Sequence, residues 1–128
     1  MTKPSLANAE LALMELLWQQ SPRTARELRE QLYPDASKAQ HGTVQRLLQR
    51  LEEKGFVARD RKLSVHLFAA AVEREAYAGG QLESLAAKLT GGSLAPLLTH
   101  LVEQKRLSQG EIDRLRAILD RESEEGQA

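Results

Sequence analysis

The chain has no cysteine among its 128 residues, which removes disulfides, thiolate metal sites and cysteine nucleophiles together. No apolar run approaches the roughly 20 residues that a bilayer-spanning helix needs. The first residues lack a basic stretch followed by an apolar core, so no secretory signal is expected and the location expected is cytoplasmic, with no membrane partner. Net charge is missing too, because 18 basic residues balance 18 acidic ones. That balance conceals a split. Residues 1–72 hold 11 Lys and Arg against 8 Asp and Glu, whereas residues 73–128 hold 7 against 10. A basic front and an acidic rear suit a polyanionic partner, since phosphate neutralisation is local. Catalytic signatures are absent as well. His41, His66 and His100 fall on different elements, without the i, i+4 spacing of a helical metal pair. There is no phosphate loop, no dinucleotide fingerprint and no Ser beside a base motif. No enzymatic activity, metal or cofactor is expected.

What is present is organised around the stretch from Gln40 to Arg61, which reads as a helix that stops at a glycine and runs into a strand. Val44, Leu47, Leu48 and Leu51 recur at i, i+3, i+4 and i+7, so four aliphatic side chains share one stripe that must face a core. The opposite side carries Gly42, Gln45, Arg46, Gln49, Arg50 and Glu53, with His41 and Thr43 at its flanks. Gln can pair with adenine, Arg can reach guanine with two parallel bonds, and Gly42 lets a backbone approach a duplex closely. This is the composition of a DNA recognition helix, although any solvated helix face also carries Gln, Arg and Glu. Gly55 sits where a helix end needs a left-handed residue, and Lys54 complements the negative end of the helix dipole. Beyond it, Phe56–Asp60 and Val65–Ala69 are β-prone runs around a turn of Arg61, Lys62, Leu63 and Ser64. With Arg59, the cations Arg61 and Lys62 make a candidate basic wing for phosphate or minor-groove contact.

Taken from the N-terminus, Leu11, Met14, Leu17 and Trp18 form the apolar stripe of a first helix, with Asn8 as its cap. Thr24 and Glu27 are spaced as a capping box that opens a second helix, whose inner face is Ala25, Leu28 and Leu32. Pro34, Asp35, Ala36 and Ser37 make the turn into the third. Three short helices and a hairpin are the order of a winged helix-turn-helix domain. In the hairpin, Val65 and Leu67 alternate with His66 and Phe68, and the pattern leaves open which pair faces inward. A helix from about Glu73 to Leu89 follows, with Gly79 and Gly80 expected to mark a bend or a close crossing.

After the turn at Thr90–Gly92, Ser93 is placed to cap a helix that tolerates Pro96 in its first turn. Its residues Leu94, Leu97, Leu98, Leu101 and Val102 give the strongest amphipathic signal in the chain. Ser108 and Glu111 form a second capping box, opening a last helix with Ile112, Leu115, Ile118 and Leu119 inward and a tail that frays from Glu122. Three helices with so many leucines are hard to bury within so small a module. Their expected partner is a second copy, with these nine residues as the dimerisation surface. The fold class expected is mostly α with a small β-hairpin, a winged helix-turn-helix over residues 1–72 followed by a helical dimerisation module over 73–128. A winged-helix protein-interaction module without a DNA role is the alternative that the neutral charge permits.

Three stretches, LANAELALMELLW, GTVQRLLQRLEEKGFV and LVEQKRLSQGEIDRLRAILD, resemble the penicillinase repressor family along nearly the whole chain. The resemblance implies an N-terminal winged helix, a C-terminal dimerisation module and homodimeric repression at inverted-repeat promoter operators in double-stranded DNA. It implies that Thr43 and Arg46 contact DNA. Two departures limit what carries over. His100 and Leu101 stand where antibiotic-resistance members have the Asn-Phe pair that is cut, so the resemblance does not extend control by a regulatory protease to this chain. The copper-responsive branch uses C-terminal cysteines, which this chain lacks.

Overall fold

The computed structural model describes residues 3–35 and 38–127. The elements follow as α1 Asn8–Gln19, β1 Arg23–Thr24, α2 Ala25–Leu32, α3 His41–Glu53, β2 Val57–Asp60, β3 Leu67–Ala70, α4 Arg74–Leu89, α5 Ala95–Glu103 and α6 Gln109–Gln127. They belong to two compact units, residues 1–82 and 83–128. Helices and one three-stranded antiparallel sheet make this the mostly α winged-helix architecture that the sequence predicts.

The first unit has one core. Leu13, Met14 and Leu17 of α1, Ala25 and Leu28 of α2, the Val44, Leu47, Leu48 and Leu51 stripe of α3, and Phe56, Val57 and Phe68 are all buried together. The α3 stripe lies as its spacing predicts. The α1 stripe is rotated from the expected one: Leu11 and Trp18 are half-buried, and Leu13 takes the inner position. The inward set is Glu10, Leu13, Met14 and Leu17, an i, i+3, i+4, i+7 pattern whose first member is a carboxylate. Asn8 is not the cap either. Ala7 precedes the helix, and its backbone amide donates to Glu10 Oε1 at 3.0 Å. The Thr24–Glu27 box forms in full, with reciprocal bonds of 3.1 and 3.0 Å. Pro34 and Asp35 turn as expected, and Ala36 and Ser37 lie outside the described residues.

A Schellman motif stops α3. Gly55 has φ +83°, its amide donates to Glu52 O at 3.1 Å, and the Phe56 amide donates to Leu51 O at 2.8 Å. Lys54 does not serve the helix end. Its ammonium goes to Glu10, and Lys3 Nζ instead sits 3.4 and 3.5 Å from the Lys54 and Gly55 carbonyls. The strands are ordered β1-β3-β2, with Phe68 facing Arg23 on one side and Arg59 on the other. In the hairpin Phe68 turns inward and Val65 is 56% exposed, while His66 and Leu67 are both half-buried.

α4 runs unbroken through Gly79 and Gly80, and a Cβ added at Gly79 would meet nothing within 4 Å. The helix is therefore not interrupted at the glycine pair, and nothing crosses close to Gly79 among the described residues. The start of α4 belongs to the first unit. Tyr77 packs edge-on against Phe56 and beside Trp18, its hydroxyl accepts from the Leu6 amide at 2.9 Å, and the Trp18 indole donates to Val72 O at 2.7 Å.

In the second unit, Ser93 is not the cap of α5. Leu94 holds that position without a side-chain bond, and Pro96 occupies the first turn. The Ser108–Glu111 box does form, with bonds of 3.1 and 3.0 Å. Lys105, with φ +57°, ends α5 in the left-handed conformation, and the Arg106 amide reaches Leu101 O at 2.9 Å. α6 continues through the tail to Gln127 rather than fraying from Glu122. Of its four expected inward residues only Ile112 is half-buried; Leu115, Ile118 and Leu119 are exposed. One amphipathic helix cannot hide its stripe behind a short neighbour.

Candidate nucleic-acid interface

α3 is anchored by the side opposite its polar face. Its four aliphatic residues enter the core, and at its C-terminus Lys54 Nζ lies 3.0 and 2.8 Å from the two Glu10 carboxylate oxygens. Glu10 is only 2% exposed. Burial pushes its carboxyl up, but the Lys54 ammonium, the Ala7 amide and the charge of Arg50 together outweigh that, and its pKa ends below the ordinary 4.5. The pair, buried at Glu10 and partly open to water at Lys54, ties α1 to the end of α3.

The polar face is open. Gly42, Gln45, Arg46, Gln49, Arg50 and Glu53 are exposed, with His41 and Thr43 half-buried at the flank. Gln49 donates to Glu53 Oε1 at 3.3 Å, and the Thr43 hydroxyl donates to Gln40 Oε1 at 2.9 Å. Arg46, Arg50 and Lys62 make no ion pair with any described residue. Nothing among the described residues requires glycine at position 42. A Cβ there would meet only Arg46 Nη1 at 3.9 Å, within ordinary contact, and its φ is not positive.

The wing cations differ from one another. Arg59 has a side chain only 16% exposed, lies over the Phe68 ring with its guanidinium carbon 4.8 Å from the centroid, and reaches Glu52 at 3.4 Å. Arg61, 56% exposed, contacts the same carboxylate at 3.3 and 3.0 Å. Glu52 on α3 thus binds the wing to the helix through two arginines. Lys62 is exposed at the turn, and its backbone amide donates to Asp60 Oδ1 at 2.9 Å.

The fold adds residues that no motif singled out. An open cleft of about 300 Å³ is lined by Thr24 and Arg26 at the start of α2, His41 and Gln45 on α3, and Ser64 and His66 of the wing. Behind it, Arg29 Nη1 lies 2.9 Å from His41 Nδ1. The Thr24–Glu27 box marks the start of α2 in the sequence and so places Arg26 in its first turn. Arg29 carries no such local signal, since its partner is 12 residues away across a turn.

The arrangement is a set of exposed hydrogen-bond donors on a helix beside a hairpin. Among the described residues no helix is long and apolar enough to cross a membrane. Comparison with known proteins agrees with the geometry. The penicillinase repressor family model matches residues 6–121. The transcriptional regulator BlaI of Mycobacterium tuberculosis is 35% identical over 116 residues, covering 89% of this chain and 82% of that protein. The methicillin resistance regulatory protein MecI of Staphylococcus aureus is 26% identical across 91% of this chain and 94% of its own length. The solution structure of the DNA binding domain of the repressor BlaI superposes with a TM-score of 0.51 at 26% identity, covering 60% of this chain and 94% of that one. With a winged helix at its N-terminus and a family match over nearly its whole length, the chain belongs to the penicillinase repressor family, whose members are transcriptional repressors and not enzymes.

Proposed function

We propose that this chain is a homodimeric repressor that binds an inverted-repeat operator, reading base edges through the polar face of α3 and holding phosphate through the wing. The observation that carries this reading is the pair of cations Arg46 and Arg50, without an ion-pair partner among the described residues, on the open face of a helix whose other face is locked in the core. Guanidinium groups not engaged in an ion pair have their donors free for phosphate or guanine. Gly42 supports close approach of a duplex, because its helix-weakening effect brings no benefit among the described residues. Among the wing residues, Lys62 and the outer half of Arg61 are the phosphate contacts. Arg59 positions the wing on α3 instead.

Homodimerisation is supported by the second unit. Leu85, Leu89, Leu98, Leu101, Val102, Leu115, Ile118 and Leu119 are between 39% and 67% exposed there, more apolar surface than a small helical module leaves to water. With the second unit as the dimerisation module and the winged unit, which takes in the start of α4, as the DNA-binding domain, the two recognition helices would enter major grooves roughly 34–36 Å apart or a multiple of that. The test is operator selection from random duplex DNA, followed by Arg46→Ala. The variant is expected to lose about 1–3 kcal/mol of binding to the selected site, whereas Glu53→Ala is expected to bind as the parent does. Equal binding by Arg46→Ala would remove α3 from the readout.

A further inference from the structure

Gln45 sits mid-face on α3, and its side chain reaches back to His41. Its amide end lies 3.3 Å from His41 Nε2, one helical turn earlier, and His41 Nδ1 lies 2.9 Å from Arg29 Nη1 on α2. A guanidinium has donors and no acceptor, so His41 Nδ1 must accept. A neutral imidazole accepting at Nδ1 carries its hydrogen at Nε2, which makes Nε2–H a donor toward Gln45. The amide atom facing a donor has to be the oxygen, and nitrogen and oxygen of a side-chain amide exchange by a simple flip. The Gln45 NH2 group is then the part directed away from His41. Arg29 forms no ion pair with a described carboxylate, and its buried Nε has no hydrogen-bond partner. Among the described residues its one side-chain bond is the one to His41.

We propose that Arg29, acting through His41, fixes the Gln45 amide as a hydrogen-bond donor toward the DNA, so that this position of the operator is restricted to bases that present an acceptor. In the major groove guanine offers N7 and O6, thymine offers O4 and adenine offers N7, while cytosine offers only the N4 donor. A freely flipping glutamine would accept from cytosine. A fixed one rejects it, because two donors would face each other without water. Arg29 and His41 are positioning residues here, and the proposal rests on the reading of α3 as the recognition helix.

Two measurements on the full chain test it. Long-range proton–nitrogen correlation spectra of the free protein are expected to show His41 protonated at Nε2 and bare at Nδ1. In Arg29→Met, which keeps the length of the stem and loses the donor, the two tautomers are expected to mix. Selection from random duplex DNA is expected to show one position per half-site at which the parent disfavours cytosine about fivefold to tenfold, the discrimination a small set of base-edge hydrogen bonds supplies. Arg29→Met and His41→Ala are expected to reduce that bias below about twofold at that position alone, and Arg29→Lys to restore it. A Nδ1–H tautomer in the parent overturns the proposal, whatever the DNA result. A selected operator whose profile Gln45→Ala changes but Arg29→Met and His41→Ala leave intact overturns it while the recognition-helix reading stands. No selected sequence at all overturns both. Since His41→Ala removes the relay from the exposed side, it keeps the test decisive if Arg29→Met fails to fold.

Discussion

The N-terminal winged unit and the C-terminal helical unit carry equally regular apolar stripes, and they use them in opposite ways. In the first, Val44, Leu47, Leu48 and Leu51 are almost wholly removed from water; in the second, Leu98, Leu101 and Val102 at the same spacing remain 39–46% exposed. The difference lies in what surrounds each stripe. α3 has α1, α2 and a sheet to close over it, whereas α5 shares the unit of residues 83–128 with the end of α4 and with α6 alone. Periodicity therefore says that a face must be covered and leaves the identity of the cover undetermined.

The sharpest way to break this contrast is to make the uncovered stripe polar. Leu98→Asp with Leu101→Asp is expected to give a folded monomer that binds a full operator about 10²- to 10⁴-fold more weakly, since linked half-sites lose their shared effective concentration. Sedimentation equilibrium and operator titration check both parts. A parent that sediments as a monomer at about tens of micromolar, while still binding inverted repeats cooperatively, would end the dimer reading.

In the covered unit, Lys54→Met leaves Glu10 buried without its cation. The expected cost is about 2 kcal/mol, below the roughly 3–5 kcal/mol of a fully buried pair because the Lys54 ammonium keeps contact with water. The pH dependence separates this from a packing defect. In the parent the Glu10 pKa is lowered, so its contribution is complete above the ordinary 4.5 and is lost as the pH falls through the lower folded value. In the variant, burial dominates and raises that pKa, so stability is expected to fall as pH rises through the carboxylate range. Denaturant melts of the two proteins between acid and neutral pH distinguish the slopes.

Two smaller effects probe one glycine too many and one too few. Gly42→Ala is expected to stabilise the winged unit by about 0.5–1 kcal/mol through helix propensity and yet weaken operator binding, a pairing that only an external contact explains. If binding is unchanged, the close approach at Gly42 is not used. Lys105→Gly relieves a left-handed residue at the end of α5 and is expected to raise stability by about 0.5 kcal/mol, the cost of αL for lysine less the entropy that glycine adds to the unfolded chain. A thermal melt that moves downward would place another role on Lys105.

Much of this molecule was legible in the chain itself. The α3 stripe, the two capping boxes and the left-handed Gly55 are local: each depends on residues within one or two helical turns, so spacing alone specified them. The open polar face of α3 followed from the same arithmetic. What tertiary structure decided was every pairing across elements. Glu10 heads the inner stripe of α1 only because Lys54, 44 residues later, arrives beside it. Arg59 and Arg61 read alike in sequence, and one is folded onto Phe68 while the other stays half in water. β1 is too short for any period, and pairing with β3 makes it a strand. The hairpin's inner face waited on Phe68 being enclosed by the helices. Local order is set by backbone geometry that each residue carries with it; the partner of a charge or an apolar face is set by which distant segments the core brings within a few ångströms.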